Sequence, residues 1–173
     1  MRSRLGDAVF GEGLDNSLAQ VVFELLLERN ARVRFAESCT GGLLTSQLVD
    51  LPGASNVLDE SHVTYANAAK VQVLGVSMDT LDEFGAVSAE CAAEMAEGAR
   101  RIRGADYGVS VTGIAGPEGG TPDKPVGTVY IGVSDANGTV TKRFNFRGQR
   151  TWVRTLSCGN ALNMLRLRML GKI

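Results

Sequence analysis

The chain has 173 residues, 44% apolar and 21% charged, with a formal net charge of −1. That length is enough for one domain with a substantial core. The near-neutral balance argues against a dedicated nucleic-acid binder, and no apolar run approaches the roughly 18 residues of a membrane span. The three cysteines, Cys39, Cys91 and Cys158, form no CxxC pair, so neither a disulfide framework nor a zinc site is expected, and a reducing cytoplasm is the natural compartment.

Residues 1–13 are glycine-rich and weakly patterned, and are expected to form a mobile arm ahead of one domain over 14–173. Leu14, Leu18, Val21, Val22, Leu25 and Leu26 repeat at helical spacing and predict a helix over 15–30. Arg32 to Glu37 reads as a buried strand, 41–50 as a helix, and Val57 to Tyr65 as a second strand. Asn67 to Leu74 is a short helix stopped by Gly75, Asp79 to Phe84 a helical turn, and Ser88 caps a longer helix to Arg103. Ala105 to Val111 is a strand, followed by a long turn-rich loop from Thr112 to Pro125. Val126 to Ser134 and Thr139 to Phe146 pair as a hairpin, with Asn137-Gly138 expected to supply the positive φ angles of the turn. A C-terminal helix spans about 149–170. The alternation predicts a single three-layer α/β/α domain, and the hairpin requires a mixed sheet.

Three stretches could carry chemistry. In Phe35-Ala-Glu-Ser-Cys-Thr-Gly-Gly42, Ser38 sits where a strand runs into a helix, beside backbone amides that have no intrahelical partner. A nucleophilic oxygen next to preorganised donors is what acyl transfer needs. Taken alone, the octapeptide favours a helix cap by Ser38 or Thr40 over a nucleophile. Thr64 to Lys70 lies at a second strand-to-helix junction, with Tyr65 just before the helix and Asn67 and Lys70 on one face. A lysine there is a general base only if burial lowers its pKa; otherwise it is a surface residue. The loop Thr112–Pro125 is suited to close backbone approach to a ligand, but carries no Walker A sequence. His62, the only histidine, sits in the middle of a predicted strand and reads as structural, and Cys39 reads as a buried thiol rather than a rival nucleophile. Eight basic residues and no acidic one follow Asp135, which reads as a solvated basic face or, for one or two of them, as an anion site.

Taken in order, Ala36-Glu-Ser-Cys-Thr-Gly-Gly42, Pro52-Gly-Ala-Ser55, Tyr65-x-Asn-x-x-Lys70, Gly85-Ala-Val-Ser88, Val111-Thr-Gly-Ile-Ala-Gly-Pro117 and Thr121-Pro-x-Lys-Pro-Val-Gly127 closely resemble the CinA C-terminal domain family, whose characterised enzymes are nicotinamide-nucleotide amidases. The resemblance covers about residues 15–170 and implies hydrolysis of the carboxamide of nicotinamide mononucleotide to nicotinate mononucleotide and ammonia, in pyridine-nucleotide salvage. It implies Ser38 as nucleophile, Lys70 as its base and Tyr65 as a proton-transfer aid, with no metal and no cofactor. Backbone amides of Cys39, Thr40, Gly41 and Gly42 would hold the oxyanion, Asn67 would orient the lysine or substrate, Thr112 and Gly113 would line the pocket, and Arg150 (or Arg154) would bind phosphate. Glu60-Ser61-His62 and Ala68 depart from the family pattern, so a changed pocket or interface is expected there. The chain is expected to be a stand-alone form, a homo-oligomer (a dimer), with a small nucleotide as its ligand and neither nucleic acid nor membrane as partner. The alternatives are a non-catalytic nucleotide-binding or partner-binding module, and an amidase or esterase with another small substrate.

Overall fold

The computed structural model describes residues 17–173; the expected arm at 1–13 lies outside them. Helix α1 (Leu18–Glu28) begins where the Ser17 hydroxyl accepts the Gln20 N–H, a serine cap on an otherwise unpaired amide. Strand β1 (Val33–Glu37) is buried along its whole length, as a central strand covered on both faces must be. It is followed by α2 (Leu43–Val49) and β2 (Ser61–Val63). Helix α3 (Asn67–Ala69) runs directly into one π turn, Lys70–Leu74, ended by Gly75 at φ 72°. Then come α4 (Met78–Glu83), α5 (Ala89–Arg101), β3 (Tyr107–Gly113), β4 (Thr128–Asp135), β5 (Gly138–Asn145) and α6 (Arg150–Met169).

The five strands form one sheet in the order β2-β1-β3-β4-β5. β1 runs parallel to β2 and β3, whereas β4 is antiparallel to both of its neighbours. The result is the mixed, three-layer sheet that the hairpin required. On one face α1, α2 and α6 bury Val22, Leu26, Leu44, Val153, Leu162 and Leu165 against Phe35, Val109 and Ile131. On the other, α5 and the 74–81 segment pack Leu74, Val76, Leu81, Cys91, Met95 and Ala99 against Ala36. Gly98 lets α5 come into backbone contact with the π turn: a Cβ there would collide with the Leu74 carbonyl. That close approach fixes the segment carrying Lys70.

Two local expectations change. The strand predicted over 57–65 shrinks to three residues, because Ala54–Asn56 forms a 3₁₀ turn and Val57 and Leu58 fill the core, with a single backbone bond to β1 from Val33 N–H to the Val57 carbonyl at 2.9 Å. In the hairpin, Gly138 alone takes a positive φ (113°); Asn137 does not, and its N–H instead donates to the Asp135 carboxylate at 2.8 Å. The three parallel strands end side by side at Ser38, Thr64 and the loop after Gly113, and ligands of open α/β sheets gather at such carboxyl ends.

Candidate active site

The turn after β1 is held by the residue before the nucleophile candidate. The Glu37 carboxylate is fully buried and accepts the N–H groups of Gly42 (2.9 Å), Leu44 (3.1 Å) and Thr45 (2.8 Å), together with the Thr45 hydroxyl (2.6 Å). It thus takes up the donors at the start of α2 that would otherwise be unpaired. Gly41 and Gly42 adopt φ of 58° and 92°, a left-handed pair that side-chain-bearing residues resist. The Gly41 N–H donates to the Ser38 carbonyl at 3.1 Å. The amides of Gly41 and Gly42 are therefore committed, whereas that of Thr40 has no acceptor among the described residues and that of Cys39 meets only its own thiol.

Ser38 is nearly buried, and its own N–H donates to the Val111 carbonyl at 2.9 Å, tying it to β3. Lys70 is 1% exposed. Its Nζ lies 3.3 Å from Ser38 Oγ, 2.9 Å from the Thr64 carbonyl and 3.4 Å from the Tyr65 carbonyl. No carboxylate pairs with it among the described residues. Burial holds the ammonium below its ordinary value of 10.5, with Cys91 and then Cys39 opposing that shift. A neutral lysine has two N–H bonds and one lone pair. The two carbonyls match the N–H bonds, which leaves the lone pair for the Ser38 O–H.

Ser38, Cys39 and Tyr65 line a pocket of about 250 Å³ with Gly113 and the loop Ile114–Gly116, and Glu118, Gly119 and Arg150 complete its wall. Arg150, at the first turn of α6, donates to the Gly116 carbonyl at 2.8 Å and to the Tyr65 hydroxyl at 3.3 Å. Arg154, one turn on, donates to the Thr40 carbonyl at 2.7 Å and so braces the nucleophile turn from behind. Burial pushes the Cys39 thiol up to about 11, so at neutral pH it is protonated beside Ser38. A larger cavity of about 750 Å³ lies at the opposite end of the sheet, walled by Glu97, Arg100, Asp106 and the β4–β5 turn; there the Thr139 hydroxyl donates to the exposed Glu97 carboxylate at 2.8 Å.

Not every residue singled out in the sequence meets the pocket. Thr40, Gly41 and Gly42 shape the turn, outside the pocket wall. Thr112 is buried and donates to the Ala86 carbonyl at 2.6 Å, anchoring β3 to the turn before α5. The Asn67 side chain is exposed and makes no hydrogen bond among the described residues, while its carbonyl accepts the Lys70 N–H. Glu60, Ser61 and His62 stay off the pocket wall; His62 Nε2 faces Glu60 at 3.5 Å. Glu37 and Glu118 were not singled out. A glutamate five residues ahead of Gly42 and eight ahead of Thr45 was the available signal for the first; nothing in the sequence distinguished the second from a surface acid. No three His, Cys, Asp or Glu side chains converge as a metal site would require among the described residues, and no described helix is long and apolar enough to cross a membrane.

A sequence model of the CinA C-terminal domain matches residues 15–169. The chain belongs to the CinA C-terminal domain family. It is 49% identical over 163 residues to a CinA-like protein of Fervidobacterium nodosum, covering 94% of this chain and 40% of that protein. With a CinA-like protein of Anaeromyxobacter dehalogenans it shares 52% identity over 164 residues, 95% of this chain and again 40% of the relative. The chain thus spans about two fifths of the length of these curated relatives. The fold superposes on the crystal structure of the competence/damage inducible protein CihA of Agrobacterium tumefaciens with a TM-score of 0.84 at 38% identity, covering 92% of this chain and 99% of that one. A CinA superfamily protein of Escherichia coli gives 0.82 at 32% identity, covering 94% and 98%.

Proposed function

We propose that this CinA-family domain is an amidohydrolase acting on the carboxamide of nicotinamide mononucleotide. The observation that carries the reading is a lysine buried without a carboxylate partner, its Nζ 3.3 Å from the oxygen of a strand-end serine that opens onto a pocket. In the first step Ser38 Oγ forms a bond to the carboxamide carbon while its proton passes to neutral Lys70. The oxyanion falls to the amides of Cys39 and Thr40. The tetrahedral adduct collapses by breaking the C–N bond, and Lys70 returns the proton to the leaving nitrogen, which departs as ammonia. Water then attacks the acyl-serine, Lys70 takes its proton, and the carboxylate leaves as Ser38 regains its hydrogen. The Tyr65 hydroxyl is bonded to Arg150 and acts at the pocket mouth, on the ligand or on protons exchanged with solvent.

A pocket of about 250 Å³ falls just under the roughly 300–1,000 Å³ of whole drug-sized sites. That suits one carboxamide-bearing ring held inside, with the remainder of a mononucleotide reaching Arg150 at the rim. Exposed Trp152 and Leu156, on one side of α6, favour a homodimer as the working assembly. The test is ammonia release from nicotinamide mononucleotide, nicotinamide riboside and simple aliphatic amides. The reading expects the mononucleotide to be the best substrate; release from none of them overturns it, and a preference for a simple amide reassigns the substrate.

A further inference from the structure

The pocket wall carries two opposite charges that are not paired with each other. Arg150 is committed to the Gly116 carbonyl and the Tyr65 hydroxyl, and meets no carboxylate among the described residues. Glu118 lines the same pocket and makes neither a hydrogen bond nor an ion pair there. The loop that carries it is tethered on both sides of Glu118. Its base is closed by Ile114 N–H to Thr128 O (2.9 Å) and Gly127 N–H to Ile114 O (2.7 Å). Lys124 Nζ ties it to the Phe84 carbonyl at 2.7 Å, Arg143 binds the Asp123 carbonyl at 2.8 Å, and Arg150 itself holds Gly116. Oppositely charged groups on one concave wall that are not paired with each other are complementary to a ligand that carries both signs. A lone cation facing a phosphate would require only Arg150.

We propose that Glu118 is a specificity-determining residue that selects a positively charged ring, so that the pocket reads its ligand as a zwitterion: pyridinium cation toward Glu118, phosphate toward Arg150. This rests on the amidase reading for the identity of the ring, but it is a statement about binding and is tested without turnover. Reducing the ring to a dihydropyridine removes its positive charge and keeps the carboxamide, ribose and phosphate. Glu118 then discriminates the oxidised from the reduced mononucleotide, whereas Arg150 treats them alike.

The experiment is calorimetric binding of nicotinamide mononucleotide and its reduced form to the Ser38→Ala protein, with and without Glu118→Gln, which keeps size and hydrogen-bonding capacity and removes the charge. Glu118→Gln is expected to weaken the oxidised form about three- to fivefold, the scale of a solvent-accessible ion pair, and to leave the reduced form unchanged. Added salt should erode the preference in the protein that retains Glu118 and have no such effect on the Glu118→Gln variant. Equal weakening of both forms would assign Glu118 to the ribose hydroxyls and overturn the proposal, as would no change in either or no binding of the oxidised form. If the preference for the cation is lost in the variant while unmutated protein releases no ammonia, the binding proposal stands and the amidase reading falls; ammonia release with an unchanged preference gives the reverse.

Discussion

Replacing Lys70 by Met separates the catalytic from the structural contribution of the buried amine. The unbranched thioether fills a similar space, so the packing around α3 and the π turn is kept. General-base catalysis contributes about 10²- to 10⁴-fold, so kcat should fall by that factor, about 2.7–5.5 kcal/mol of transition-state stabilisation. Stability responds differently. The Thr64 carbonyl, on a buried residue, loses its 2.9 Å donor, at a cost of about 1–3 kcal/mol. Against this, the variant no longer buries an ionisable amine. A lysine whose folded-state value lies below its unfolded one binds its proton more tightly when unfolded. Acid between the two values therefore favours unfolding; this penalty is complete below the folded-state value and vanishes above about 10.5. Each unit of depression corresponds to about 1.4 kcal/mol. The Tm of Lys70→Met relative to the unmutated protein should accordingly be most favourable below the folded-state value of Lys70 and decline as the pH rises toward about 10.5. Thermal melts at several pH values, paired with ammonia-release kinetics, read both effects. A Tm difference that does not change with pH, or a kcat within about threefold of the original, would refute the reasoning, since the base contribution is expected to exceed about 100-fold.

Further outcomes follow from the same geometry. Glu37→Gln turns an all-acceptor carboxylate into a group with a donor face, so it should destabilise by about 2–4 kcal/mol and lower kcat more than it raises KM, because at least one of the charge-assisted bonds at the turn is lost; an unchanged melt and an unchanged kcat would contradict this. Cys39→Ala should retain most activity, and iodoacetamide at pH 7.5 should leave the enzyme active, because a thiol pushed up to about 11 is protonated there; rapid inactivation traced to Cys39 would contradict it. Arg150→Ala should raise KM for the mononucleotide about tenfold or more, the worth of a hydrogen bond to a charged group, and affect nicotinamide riboside much less, through the lost bonds to Gly116 and Tyr65 alone. Equal effects on both would remove Arg150 from the phosphate.

The parts of the molecule set by local rules were legible in the sequence. The strand–turn–helix at 33–49 was marked by β-branched and aromatic residues running into Gly41-Gly42, and α6 was located to within a residue of each end. Val57 and Leu58 misled because an apolar pair looks the same whether it pairs in a sheet or plugs a core. Ser38 and Lys70 were joined only by the family resemblance, not by their spacing: they are 32 residues apart, and the parallel pairing of β1 with β2 brings the two helix starts together. The Lys70 environment was also out of reach, since a lysine on a short helix is ordinarily at the surface. Here the approach of α5 at Gly98 buries it. The donors at the turn could be counted from the sequence, but not their occupancy. Glu37 claims the Gly42 amide and leaves those of Cys39 and Thr40.

The central claim is that Ser38 is a nucleophile activated by Lys70. It is tested most directly by ammonia release from nicotinamide mononucleotide by the unmutated protein and by Ser38→Ala, with far-ultraviolet circular dichroism and thermal melts recorded on both. The account predicts release by the first, loss of at least about 1,000-fold by the second, as expected for removal of a covalent nucleophile, and matching melts. A Ser38→Ala protein that folds and still releases ammonia at a comparable rate would contradict it.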